Sequence, residues 1–207
     1  IDLIETEHPF YVGRGGNMGD RPGNFAVQNA DLILAVGNRL PIRVVGYNWK
    51  TWAREAEVIM VDVDEAELKK HTLHVEMPIH ADAKDFFEQM NTRLNGMEQP
   101  LFQGREWVTA CRKWKEKYPV VLPRHWQEDG LHANAYAFVD YLSTQLPPRT
   151  LTVVSNGTCC VAGHQAYVIK EGTRFFNSNA VASMGYGLPA AIGGCVANKR
   201  RTTVCLE

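Results

Sequence analysis

Two stretches of the sequence combine residue types that suit the binding of a nucleotide. Residues 31–36 (DLILAV) run directly into Gly37, and residues 58–63 (VIMVDV) contain Asp62 near their end. Beyond the carboxyl end of a parallel strand, glycine permits close approach of a ligand, and a carboxylate accepts hydrogen bonds from ribose hydroxyls. Two arginines follow that glycine and offer positive charge to a diphosphate: Arg39 and Arg43. A turn glycine with two helix-capping aspartates, Asp62 and Asp64, explains the same pattern, and both interpretations stay open.

A second pair of segments offers groups that bind phosphate. Gly157 and Thr158 follow residues 150–154 (TLTVV) and lead towards a helical pattern predicted over 161–170, so backbone N–H groups and a hydroxyl are available to an anion. Residues 182–193 (ASMGYGLPAAIG) place a proline where a helix begins, among glycines that permit close packing. The alternative is a tightly packed helix entry with nothing bound, and composition does not reject it.

Other candidate motifs are weaker. Residues 13–23 (GRGGNMGDRPG) lack the G-x-G-x-x-G spacing and follow no predicted strand, so they indicate a mobile loop that lines a ligand rather than a dinucleotide fingerprint. His71, His74 and His80 lie close together, but a zinc site needs a fourth ligand, and we interpret them as solvated histidines. The sequence therefore assigns no metal ligand and no catalytic residue.

Composition and charge exclude several classes of protein. The 207 residues include 22 Lys plus Arg and 23 Asp plus Glu, a net charge of −1, which favours neither nucleic acid nor a membrane surface as partner. We expect a cytoplasmic protein, because no apolar run approaches the length of a membrane span and no signal peptide is evident. The cysteines contain no C-x-x-C pair and are expected to be reduced thiols: Cys111, Cys159, Cys160, Cys195 and Cys205.

The elements that must position these residues alternate between short apolar strands and amphipathic helices, which indicates an α/β protein. Strands are predicted over 31–36, 58–63, 150–154 and 202–206. Helical patterns follow Asp82, run from Trp107 to Tyr118, and run from Tyr136 to Leu146. Residues 95–105 are rich in Gly, Pro and Gln and predict a linker. The chain then divides into residues 1–97 and residues 98–207, and both units look truncated.

The segments ASMGYGLPAAIG and RTTVCLE resemble the C-terminal cofactor domain of thiamine-diphosphate enzymes of the acetolactate synthase family. The segments DLILAVGNRLPIRVVGYNW, AREAEVIMVDVDEAELKK and HADA resemble the central domain of that family, in the same order. The resemblance implies two doubly wound parallel-sheet units. Residues 1–97 would form a DHS-like domain for FAD or ADP that lacks its N-terminal part. Residues 98–207 would form a thiamine-diphosphate domain cut before the Gly-Asp-Gly metal motif.

The resemblance also assigns roles to individual residues. Met184 would lie under the cofactor and enforce its bent shape, while its N–H and the carbonyl of Ala182 would hold the aminopyrimidine ring. Gly157, Thr158 and Cys159 would lie on the diphosphate. The positions that resemble the FAD contacts of the family are Gly16, Asn17, Gly37, Arg39, Arg43, Asp62 and Asp82.

The resemblance implies an enzyme that decarboxylates a 2-oxo acid such as pyruvate and joins the product to a second carbonyl. Its cofactors would be thiamine diphosphate, Mg²⁺ held by ligands outside this segment, and FAD, and its assembly a homodimer or homotetramer. The glutamate that activates the cofactor also belongs to a domain absent here, so residues 1–207 alone would be inactive. A noncatalytic nucleotide-binding module and a flavin-free 2-oxo acid decarboxylase are the alternatives.

Four positions depart from the flavin-binding pattern of the family. Met18 stands where synthases usually have histidine, Pro41 and Ile42 replace an acidic pair, and Ala81 replaces a glycine. Whether FAD, ADP or nothing occupies the central domain therefore stays open from the sequence.

Overall fold

The computed structural model describes residues 1–97, 104–127 and 132–207. Two three-stranded parallel sheets organise the described residues. The strands are β1 Leu32–Val36, β2 Glu57–Asp62, β3 Met77–His80, β4 Leu151–Val154, β5 Arg174–Asn177 and β6 Thr203–Leu206. The helices are α1 Arg21–Asn29, α2 Ile42–Val45, α3 Glu65–Leu68, α4 Ala83–Asn95, α5 Arg105–Lys117, α6 Ala135–Gln145, α7 Thr158–Ala166 and α8 Gly187–Ala197, with 3₁₀ turns at Trp49–Thr51 and Pro123–Trp126.

The first sheet has the order β1-β2-β3, with β2 in the centre. Its register pairs Val36 with Val61 and Asp62 with His80, so the three strands end at one edge. One face of this sheet forms a hydrophobic core that includes Ala35, Val58 and Met60. Residues from the connecting loops pack against the same face. The central strand β2 is buried on both faces, as its apolar run predicts, whereas Leu32 and Leu34 of the edge strand β1 are exposed.

The second sheet has the order β5-β4-β6 and is covered on both faces. All residues of β4 are buried. Val154 packs with α6 and α7, while Val153 packs with Ala191 of α8. Helices on both sides of a parallel strand are the doubly wound arrangement that the sequence predicts, and the α/β fold class is confirmed.

The predicted elements agree with the structure except at short or irregular segments. Asp82 caps α4, because its Oδ1 accepts a hydrogen bond from the N–H of Lys84 at 2.8 Å. The predicted helix over 161–170 is wrong at both ends, since α7 begins at Thr158 and ends at Ala166. The sequence analysis missed α1, the short helices α2 and α3, and the short strands β3 and β5.

The first twenty residues lie against the second unit. Asp2 Oδ2 accepts hydrogen bonds from Arg174 Nε at 2.8 Å and from the N–H of Phe175 at 2.9 Å. The guanidinium of Arg14 donates to the carbonyls of His164 and Tyr167. The two units therefore share a packed boundary, and the division at residue 97 stays a prediction. Part of the predicted linker, residues 98–103, lies outside the described residues.

Within the described parts of the chain, no helix has the length and apolar character to cross a membrane.

Candidate functional site

A cavity of about 530 Å³ opens at the carboxyl end of β4. Ligand pockets commonly span roughly 300–1,000 Å³, and open α/β sheets bind ligands at this edge. Both units contribute to its wall. The lining residues are Met18, Arg43, Tyr136, Asn156, Gly157, Thr158, Cys160, Val161, Asn179 and Ala182. The structure thus brings together Gly157, Thr158, Ala182 and Arg43, which the sequence analysis had assigned to different cofactors.

Gly157 creates the turn from β4 into α7. Its φ of +86° lies in the left-handed region, which favours glycine. A Cβ added to Gly157 would meet no atom within 4 Å, so this side of the turn is open. The first N–H groups of α7 follow at once and have no helical partner, which makes the start of this helix suitable for an anion.

The Cys159 side chain is turned away from the cavity. Its Sγ donates towards the carbonyls of Ser155, at 3.4 Å, and Asn156, at 3.2 Å. Burial raises the pKa of this thiol, so it stays protonated near neutral pH. Only the backbone of Cys159 is available to a ligand at the start of α7.

The loop between β5 and α8 is held in a strained shape. Ala182 has a φ of +57°, which is unfavourable for a residue with a Cβ. Its N–H donates to the carbonyl of Ser178 at 2.6 Å, and Asn156 Nδ2 donates to the carbonyl of Ser183 at 2.6 Å. Met184 follows with 94% of its surface exposed and lies outside the lining of the cavity. The loop thus exposes the large apolar side chain of Met184 to water. A ligand that covered this side chain would gain free energy from the burial of apolar surface.

The Gly-rich segment is fixed against α2. Asn17 N–H donates to the carbonyl of Arg43 at 2.9 Å. The amide of Asn24 bonds to both the N–H and the carbonyl of Gly16. The segment is thus a hydrogen-bonded loop that passes into α1 at Arg21, rather than the mobile loop predicted over 13–23.

The predicted FAD contacts separate into groups. Gly37, Asp62 and Asp82 follow or end the three strands of the first sheet at one edge. Asp62 Oδ1 accepts from the N–H of Asp64 at 2.9 Å, and Asp82 caps α4, so both carboxylates bond to the backbone. Arg39 lies apart, on a separate cavity of about 320 Å³, with its Nη1 3.7 Å from Glu67 Oε1. Arg39 and Arg43 therefore line different cavities.

Two of the three clustered histidines have ordinary partners. His74 Nε2 lies 3.0 Å from Glu76 Oε2, and His80 Nε2 lies 2.9 Å from the carbonyl of Val63. Among the residues that the structure describes, no group of three or more His, Cys, Asp or Glu side chains could hold a metal ion.

Five lining residues were given no site role from the sequence: Tyr136, Asn156, Cys160, Val161 and Asn179. Asn156 follows β4, and Asn179 follows β5, whose last residue is Asn177. An asparagine at the end of a buried parallel strand reaches the binding edge of the sheet. This signal was available for Asn156, which follows a predicted strand, but not for Asn179, because β5 was not predicted.

Comparison with known proteins finds two domain families in the chain. Residues 1–90 match the family described as "Thiamine pyrophosphate enzyme, central domain". Residues 155–207 match "Thiamine pyrophosphate enzyme, C-terminal TPP binding domain". The chain belongs to the thiamine pyrophosphate enzymes. Thiamine pyrophosphate is the compound called thiamine diphosphate above, so the family recognition made from the sequence is confirmed.

Within this family the chain is similar to acetolactate synthase large subunits. It is 32% identical over 214 residues to the isozyme 2 large subunit of Escherichia coli (strain K12), covering 100% of this chain and 35% of that protein. It is 30% identical over 202 residues to the large subunit of Cyanidium caldarium, covering 96% of this chain and 33% of that protein. The chain thus spans about a third of the length of these curated relatives.

The two matched ranges contain all of the residues to which the sequence analysis gave a cofactor role. The cavity at the end of β4 is built mainly from the C-terminal TPP binding domain match, with Met18 and Arg43 from the central domain match.

Proposed function

We propose that this chain is part of an acetolactate synthase-like carboligase. The enzyme decarboxylates a 2-oxo acid such as pyruvate and joins the product to a second carbonyl. The observation that carries the proposal is the cavity at the end of β4, where Gly157, Ala182 and Arg43 meet within a thiamine pyrophosphate enzyme.

The residues of this cavity fit the diphosphate of the cofactor. The open turn at Gly157 lets an anion approach the backbone, and the N–H groups at the start of α7 are directed to it. The Thr158 hydroxyl adds a donor, and Arg43 adds a positive charge on the opposite unit. The Cys159 thiol takes no part, because it bonds to the strand end.

The loop between β5 and α8 fits the ring end of the cofactor. The left-handed backbone at Ala182 and the bond from Asn156 to Ser183 fix the segment that carries the Ala182 carbonyl and the Met184 N–H. The exposed Met184 side chain supplies the apolar surface on which a bent cofactor rests. Thiamine diphosphate, when bound, supplies the carbanion chemistry, and these residues bind it, orient it and exclude water.

Mg²⁺ is part of the proposal, with its ligands outside residues 1–207. A diphosphate held without a hard cation keeps most of its charge, and Mg²⁺ is bound through oxygen ligands and the phosphates. The acetolactate synthase relatives are about three times longer than this chain, so the proposed activity belongs to the whole protein.

FAD at the first sheet edge is proposed as a further cofactor, and a flavin-free 2-oxo acid decarboxylase is the second candidate function. The observation that favours the second candidate is the separation of the two arginines, since Arg39 lies near Glu67 while Arg43 lines the other cavity. A noncatalytic nucleotide-binding module would need only the first unit. Co-purified flavin, read from the visible absorption of the whole protein, separates the carboligase from the decarboxylase.

Calorimetric titration of the whole protein with thiamine diphosphate and Mg²⁺ tests the proposal. We expect saturable binding that Met184→Ala weakens, while the exposed Val63→Ala in the first unit leaves it unchanged. Binding of FAD or ADP without any binding of thiamine diphosphate would replace the proposal with the noncatalytic module. We also propose a homodimer or homotetramer, which size-exclusion chromatography with light scattering tests. A cytoplasmic location is part of the same proposal.

A further inference from the structure

His164 is a buried side chain to which neither the sequence analysis nor the family match gives a role. It lies in the last turn of α7 with 7% of its surface exposed, packed edge-on against the ring of Phe175. Its Nδ1 lies 2.9 Å from the carbonyl oxygen of Cys160. Its Nε2 lies 3.3 Å from Nδ2 of Asn177 and 3.3 Å from Nδ2 of Asn179.

The hydrogen bonds around His164 fix its tautomer. Asn177 Oδ1 accepts the N–H of Asn179 at 3.0 Å, so the amide of Asn177 must present its NH₂ group to the imidazole. His164 Nε2 is therefore an acceptor, and the ring proton lies on Nδ1, where it donates to the carbonyl of Cys160. In this neutral tautomer the Nδ1 proton is directed to the Cys160 carbonyl, and Cys160 Sγ lies 3.7 Å from the same nitrogen.

These bonds join the two segments that build the candidate cofactor site. On one side His164 is bonded to Cys160, a residue of α7 that lines the cavity. On the other side it is bonded to Asn179, which lines the same cavity and precedes the strained Ala182 in the loop. His164 does not line the cavity itself, so its influence passes through these neighbours.

We infer that His164 is a positioning residue that holds the loop between β5 and α8 in register with the start of α7, so that one diphosphate-bearing cofactor contacts both. The inference rests on the proposed function, because the cofactor is the group that must contact both segments. Asn156 makes a second hydrogen bond to the same loop, by donating to the carbonyl of Ser183. With His164 at one end and Asn156 at the other, the left-handed Ala182 is held between two fixed points.

The test compares variants of the whole protein by calorimetric titration with thiamine diphosphate and Mg²⁺. His164→Phe keeps a buried ring but removes the acceptor, and we expect roughly tenfold weaker binding. His164→Gln keeps an acceptor and should recover part of the affinity. Asn179→Ala removes the hydrogen bond to His164 together with a side chain of the cavity lining. Because His164 acts through Asn179, the double variant His164→Phe with Asn179→Ala should bind no more weakly than the weaker single variant. His74→Phe, at an exposed histidine of the first unit, is the matched control.

The outcomes separate the inference from the proposed function. If the unaltered protein does not bind thiamine diphosphate, the proposed function fails and the inference falls with it. If it binds but His164→Phe binds equally well, the inference alone is wrong. If His164→Phe does not fold, Asn179→Ala decides, since unchanged affinity in that variant contradicts the inference. Additive losses in the double variant also contradict it.

Discussion

The N–H of Asn17 donates to the carbonyl of Arg43 at 2.9 Å, and this bond holds the Gly-rich loop against the helix that reaches the cavity of the second unit. Glycine at position 16 allows this close approach, because a Cβ there would lie 2.5 Å from the same carbonyl oxygen. The side chain of Arg43 thus faces the candidate cofactor site from a backbone that two segments of the first unit fix together.

Gly16→Ala should lower the free energy of unfolding by about 1–3 kcal/mol. The φ of +110° disfavours alanine, and the backbone carbonyl of Arg43 cannot move without breaking the bond to Asn17. Gly15→Ala is the control, because Gly15 is exposed and its added Cβ would meet only the Val27 side chain at 3.1 Å. Urea unfolding measures both variants, and equal stability in the two would contradict the role of the contact.

Ala182→Gly should raise the free energy of unfolding or leave it nearly unchanged. The substitution relieves a left-handed strain of about 1–2 kcal/mol, and this gain offsets the greater chain entropy of glycine in the unfolded state. The comparison variant Ala190→Gly, inside α8, should lose about 1 kcal/mol because it has no such strain to relieve. Thermal unfolding distinguishes them, and similar losses in both variants would show that Ala182 is not strained.

Arg43→Ala should weaken the binding of thiamine diphosphate about fivefold to tenfold at low salt, with a smaller effect at high salt. The reason is that Arg43 is exposed, so it would act on the diphosphate mainly by charge. Arg39→Ala should leave this affinity unchanged, since Arg39 lines a different cavity near Glu67. Titrations of both variants at two salt concentrations are the measurement. An equal loss for the two arginines would contradict the separation of the cavities.

The stability of the protein should depend on pH through His164. Burial lowers the pKa of His164 below its ordinary value of 6.5; the Cys160 carbonyl opposes this, and the charges of Arg14 and the Ile1 amino group add to it. The unfolded chain then takes up a proton first, so the folded state loses free energy as the pH falls below about 6.5 and keeps its full stability above it.

The comparison of the unaltered protein with His164→Gln isolates that contribution, because other groups titrate equally in both. The difference in free energy of unfolding between the two proteins should shrink as the pH is lowered from neutral towards 5. A difference that stays constant over this range would mean that His164 has the same pKa in the folded and unfolded states. Urea unfolding at a series of pH values supplies the data.

The sequence predicted the elements that long apolar patterns specify and missed those that depend on tertiary contacts. The strand at Leu32–Val36 and the cap at Asp82 follow from apolar periodicity and local hydrogen bonding. Strand β5 (RFFN) has only four residues, and its pairing with β4 determines it more than its own composition does. Asn179 was missed with it, because its position in the cavity follows from that strand.

The candidate site shows the same limit. The resemblance named Gly157, Ala182 and Met184, whose local sequence is distinctive. It placed Arg43 among the flavin contacts, and sequence order could not show that this arginine of the first unit lines the cavity of the second. For Asp62 and Asp64 the sequence left a nucleotide site and a capping role open. In the structure Asp62 accepts the N–H of Asp64, and Asp64 caps α3 by accepting the N–H of Ala66.

Turnover of pyruvate by the whole protein tests whether it is the proposed thiamine-diphosphate-dependent carboligase. The assay supplies thiamine diphosphate, Mg²⁺ and pyruvate and measures both the release of carbon dioxide and the product that joins two carbonyl compounds. We expect both signals, their loss when thiamine diphosphate is omitted, and a marked decrease in Met184→Ala. Cofactor-saturated protein that releases no carbon dioxide from pyruvate or from other 2-oxo acids would contradict the proposal.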